Sequence, residues 1–81
     1  MLVTVRLFAR LREIAHAAEL TLDLAEGSRV GDAWQALMAR HGDMAAYASS
    51  ISCAVNADYS RMTATVKDGD EIAFLPPVSG G

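Results

Sequence analysis

The residues best placed to do chemistry are Gly80 and Gly81, which close the sequence after Pro76-Pro77-Val78-Ser79. Glycine loses more conformational freedom on ordering than any other residue, so a folded core gains nothing from two of them here. A narrow partner tunnel does, because a segment without Cβ atoms enters a slot closed to side chains. The prolines hold the stem extended and project the tail away from the body. From Pro77 to Gly81 an extended chain spans up to ~17 Å. A free carboxylate resists nucleophiles until it is activated, most simply as an acyl-adenylate made from ATP. A sulfur donor that displaces AMP then leaves a thiocarboxylate on Gly81. That chemistry needs no side chain from this protein, and no nucleophile–base pair, metal-ligand spacing or phosphate loop is apparent.

The elements that must carry such a tail follow from periodicity. Val3, Val5 and Leu7 alternate with Thr4 and Arg6, which predicts β1 over roughly Leu2 to Phe8. Ala9 to Ala18 reads as a turn or one loose helical piece. Leu20, Leu22 and Leu24 alternate as β2, closed by Glu26-Gly27. Val30, Ala33, Trp34, Leu37 and Met38 then repeat at helical spacing, with Ser28 or Arg29 at the entry, Ser28 the better capping residue, and Gly42 as the stop. Ile51, Cys53 and Val55 alternate again, placing β3 around Ser52 to Asn56. Asn56-Ala57-Asp58 reads as a turn, with a short β4 at Tyr59 to Arg61. Lys67-Asp68-Gly69-Asp70 is a tight turn, and Glu71 to Leu75 is the last strand, stopped by the two prolines. Two strands, one long helix and a return to strands define an α+β chain with a mixed four- to five-stranded sheet and a helix across one face. This is the β-grasp, or ubiquitin-like, arrangement. Residues 1–77 form one domain and residues 78–81 a flexible tail.

Composition agrees with a small globular domain: 81 residues, 52% hydrophobic and 21% charged, with a net charge of −3. Seven scattered basic residues on an acidic chain exclude a nucleic-acid footprint and disfavour anionic membranes. Cys53 is the only cysteine, so there is no internal disulfide and no iron–sulfur site. The N-terminal stretch MLVTVRLFARLRE shows neither a signal peptide nor a membrane span. The expected location is the cytoplasm.

The terminal stretch DGDEIAFLPPVSGG (Asp68 to Gly81), together with LFARLRE (Leu7 to Glu13), the helix from Val30 and AVN (Ala54 to Asn56), resembles the molybdopterin synthase small-subunit family of ubiquitin-like sulfur carriers. The resemblance implies a β-grasp fold and a C-terminal Gly81 adenylated by an ATP-dependent activating enzyme, then converted to a thiocarboxylate. It implies that the tail enters a large catalytic subunit and gives sulfur to cyclic pyranopterin monophosphate in molybdenum cofactor biosynthesis. It further implies a heterotetramer, no permanently bound cofactor, ATP consumed by the activating enzyme rather than by this chain, and no catalysis by this chain alone. Gly80 is then the slender neighbour that gives Gly81 access. His16 departs from the family, where a glycine is expected in that loop.

Strand alternation makes a separate prediction about partners. With Val5 and Leu7 inward, Phe8 falls on the outer face of β1; with Ile72 and Phe74 inward, Leu75 falls on the outer face of the last strand. Parallel pairing of these strands puts Phe8 and Leu75 at one end, beside the tail, and Tyr59 joins them. The apolar patch reads as a docking surface, matching family positions that the resemblance places in partner contacts, with Pro76, Pro77, Val78 and Ser79 continuing it along the tail. Cys53 reads as a buried structural thiol, Trp34 as core, His41 as part of the helix end, and Arg10 and Arg12 as a solvated face. The Gly-Gly end is shared by three other readings: a carrier for thiamine thiazole synthesis, a ubiquitin-like modifier attached to lysines, and a plain interaction domain.

Overall fold

A computed structural model describes residues 1–77. β1 (Leu2–Leu7), β2 (Glu19–Asp23), β3 (Ser52–Val55), β4 (Asp58–Ser60) and β5 (Glu71–Leu75) form one five-stranded sheet in the order β2-β1-β5-β3-β4. β5 runs parallel to β1 and antiparallel to β3, and every other pairing is antiparallel. The helix α2 (Val30–Arg40) packs its apolar stripe on one face.

The period-two pattern fills that face. Val3, Val5, Leu7, Leu22, Cys53, Ile72 and Phe74 are buried from the sheet, and Val30, Ala33, Trp34 and Leu37 from α2. Each large apolar side chain so buried contributes about 1.5–3 kcal/mol relative to exposure. The Trp34 and Phe74 rings lie 5.1 Å apart at 55°, the tilted contact that aromatic quadrupoles favour. Met38 lies at the edge of the stripe and is only half-buried.

Several boundaries differ from expectation. β1 stops at Leu7 because Phe8 (φ −127°, ψ 154°) caps α1 (Ala9–Ala15), a formed helix anchored by buried Leu11 rather than a loose turn. β3 ends at Val55 and β4 starts at Asp58, since Asn56 (φ 51°) and Ala57 (φ 73°) make a two-residue turn of the I′ kind. Ser28 does not cap α2. Arg29 holds the cap position, and its N–H donates to the Asp32 carboxylate at 2.7 Å. The next helix N–H groups are already met: Val30 donates to Ala64 O (2.9 Å) and Gly31 to Met62 O (2.8 Å). Ser28 is instead bound by its backbone, accepting from Val66 N–H at 3.0 Å. Gly42 is not a left-handed stop either; His41 ends α2 by donating to Leu37 O at 2.8 Å, and Gly42 opens a 3₁₀ helix, Gly42–Tyr47. Burial of Met44 draws the chain into that extra turn. Lys67 to Asp70 turns as expected, with Gly69 at φ 87°.

The loop position where a glycine was expected explains itself. His16 sits at φ 56°, ψ 32°, the left-handed cap of α1, a conformation glycine adopts without strain.

Candidate functional site: the outer sheet face at the stem of the tail

The stem of the tail leaves from β5, which has a hydrogen-bonded neighbour on both sides. Register fixes what surrounds it. Arg6 pairs with Ala73 and Leu7 with Phe74 across the parallel ladder, while Ser52 pairs with Leu75 and Ala54 with Ala73 across the antiparallel one. Ala54 also pairs with Tyr59 of the edge strand β4. Since Leu7, Phe74 and Cys53 point into the core, their neighbours Arg6, Ala73, Leu75, Ala54 and Tyr59 share the opposite face. The extended backbone of Phe8 continues the β1 alternation and puts its ring on that face, level with Leu75.

Phe8 is 39% exposed and Tyr59 81%, and Leu75 is half-buried. At about 4.8 Å per strand, the three residues span a little under ~15 Å across four strands. Between them Ala54 and Ala73 make a low floor, so the larger side chains stand proud of it. Alternation in β3 was sufficient to place Ala54 outward, but its small side chain gave no reason to single it out. Pro76 is half-buried and Pro77 exposed directly beyond Leu75. Val78, Ser79, Gly80 and Gly81 lie outside the described residues.

Charge surrounds this apolar strip. Arg6 is exposed and has Glu19 as its register partner on β2, while Arg10 and Glu13 of α1 approach to 3.9 Å, both exposed. An ion pair of that kind adds little stability and leaves the guanidinium available to solvent. Arg12 is likewise exposed. The site is thus an apolar strip with a basic margin, next to the departing chain.

The remaining candidates have structural roles. Cys53 is buried, its S–H donates to Ser60 O at 3.3 Å, and burial pushes its thiol above the ordinary value. Since the thiolate is the reactive form, this is an inert position. Among the described residues no three metal-ligating side chains come together, no enclosed pocket opens, and no helix is long and apolar enough to cross a membrane.

A five-stranded mixed sheet with parallel first and last strands, one helix across it and a chain end leaving the central strand defines a ubiquitin-like β-grasp protein. The ThiS family model matches residues 5–81. The molybdopterin synthase sulfur carrier subunit of Chlamydomonas reinhardtii is 35% identical, with both chains covered in full. Small archaeal modifier protein 1 of Haloferax volcanii is 33% identical over 94% of this chain and 97% of its own. Among solved structures, the putative molybdopterin converting factor subunit 1 of Pyrococcus furiosus superposes with a TM-score of 0.85 at 32% identity, covering 96% and 99% of the two chains. The chain belongs to the ThiS family.

Proposed function

We propose that this chain is the sulfur carrier subunit of a molybdopterin synthase. The carboxylate of Gly81 takes AMP from ATP on an activating enzyme, with release of pyrophosphate. A sulfur donor displaces AMP, and the resulting thiocarboxylate gives its sulfur to cyclic pyranopterin monophosphate inside a large catalytic subunit. The chain itself supplies no acid, base or metal; it docks and presents. The observation that carries this reading is the alignment of Phe8, Leu75 and Tyr59 on the open sheet face from which the tail stem departs. Docking there holds β5 against the partner, and the remaining residues have the reach to enter it. The sulfur-carrier name of a relative aligned over the whole chain supports the same reading.

A second reading is favoured by the archaeal modifier relative: the same activated carboxyl joins to a lysine amine instead of accepting sulfur. Incubation with the activating enzyme, ATP and a sulfur source, followed by intact-mass measurement, separates the two. Replacement of one oxygen by sulfur at Gly81 supports the carrier. Isopeptide adducts without sulfur uptake support the modifier.

A further inference from the structure

The stretch Ala54-Val55-Asn56 ends in a residue whose side chain is bonded at both ends of its amide. Asn56 leaves β3 at φ 51°, a left-handed conformation that asparagine tolerates better than most residues. Val55 is still in the β3–β5 ladder, opposite Ile72, so Asn56 falls opposite Glu71. Its backbone N–H donates to Glu71 O at 2.8 Å. The returning bond comes from the side chain: Glu71 N–H donates to Asn56 Oδ1 at 3.0 Å. In a regular antiparallel pair the two backbones make both bonds. Here the amide oxygen replaces a backbone carbonyl, so the ladder gains one more step while the chain turns.

The nitrogen of the same amide reaches a further segment. Asn56 Nδ2 donates to Asp70 Oδ1 at 3.0 Å. Asp70 is itself held, its Oδ2 accepting from Lys67 N–H at 2.8 Å and its backbone O from Thr4 N–H at 3.0 Å. The turn between β3 and β4 is thereby clamped to β5 and, through Asp70, to β1. β4 has little else to place it. It is an edge strand of three residues, paired among the described strands with β3 alone. Two-stranded ribbons twist more than strands inside a sheet, so such a hairpin needs a fixed root. Tyr59, at the centre of β4, is almost bare, and packing of its own ring does not fix it.

We propose that Asn56 is a positioning residue for partner docking: its amide, held by Glu71 and Asp70, sets the β3–β4 hairpin so that Tyr59 lines up with Leu75 and Phe8. This rests on the docking reading proposed above. Asn56 acts through Tyr59 and leaves the chemistry at Gly81 untouched. Its loss therefore weakens capture of the carrier by the large subunit and spares the transfer step that follows.

The test follows sulfur transfer from the intact thiocarboxylated chain to cyclic pyranopterin monophosphate on the large subunit, with the carrier varied to saturation. Asn56→Gly keeps the left-handed turn and removes both side-chain bonds. It should raise the apparent KM for the carrier at least five-fold and leave the saturating rate within two-fold, the mark of lost binding alone. Tyr59→Ala should also raise KM, and adding Asn56→Gly to it should cost less than two-fold more. Asn56→Asp alone sets two carboxylates against each other and should raise KM. Combined with Asp70→Asn it reverses donor and acceptor, keeps every bond, and should return KM to within two-fold of wild type. Wild-type KM for Asn56→Gly overturns the inference, as does an undiminished effect on the Tyr59→Ala background or a raised KM in the exchanged pair. Wild-type KM for Tyr59→Ala instead takes Tyr59 out of the docking face, and the role of Asn56 with it.

Discussion

Leu7 of β1 and Phe74 of β5 are register partners in the parallel pair, both buried. That pairing sets the next residues, Phe8 and Leu75, side by side on the opposite face. One ladder position thereby fixes both the core below and the apolar strip above.

Phe8→Asp and Leu75→Glu put charge into the centre of the proposed interface without touching the core. Each should weaken binding to the large subunit by at least ~30-fold, the scale of a lost hot spot of about 2 kcal/mol. Calorimetric titration measures the loss, and unchanged circular dichroism confirms the fold. Wild-type affinity in both variants would remove this face from the account.

Left-handed residues other than glycine are a stability reserve. His16 (φ 56°) and Ala57 (φ 73°) each hold a conformation that costs an L-residue about 1–2 kcal/mol. His16→Gly and Ala57→Gly relieve it and lose part of the gain to unfolded-state entropy. Either should raise the thermal midpoint by a few degrees, read by scanning calorimetry, while leaving sulfur loading unaltered.

Asp70 ties two turns together. Its carboxylate accepts from Asn56 Nδ2 (3.0 Å) and from Lys67 N–H (2.8 Å), and these two bonds, in that order of weight, hold its carboxyl below the ordinary aspartate range. A carboxyl whose pKa is lower when folded than unfolded adds stability above its unfolded value, and loses it as pH falls through the folded one. Urea midpoints should therefore drop on acidification from about pH 4 downward, and Asp70→Asn should flatten that limb. An identical acid limb in the variant would assign the effect to other carboxylates.

Cys53 should be silent. With its thiol buried and pushed up in pKa, alkylation at neutral pH should be slow in the folded chain and fast in urea. Rapid labelling of the native protein would contradict the inert, buried thiol described above.

Much of this was legible in the residues. The α2 stripe and the period-two strands are set by burial, and burial leaves its mark on residue type; hence Trp34, Phe74 and the outward Phe8 and Leu75 were readable. What escaped depends on partners distant in sequence. Ser28 looked like a cap, but the Ala64 and Met62 carbonyls already satisfy the helix N–H groups. Gly42 looked like a stop, but Met44 draws the chain into a 3₁₀ turn to reach the core. Ala54 has too small a side chain to announce its place in the floor of the apolar strip.

The central claim is that the fold presents a side-chain-free carboxyl terminus as the reactive group. Its sharpest test is single-turnover sulfur transfer from thiocarboxylated chain to cyclic pyranopterin monophosphate on the large subunit, comparing wild type with Gly80→Trp. The account predicts transfer by the wild type and at least a hundredfold slower transfer by the variant, with thermal stability unchanged. Equal rates for the two would contradict it.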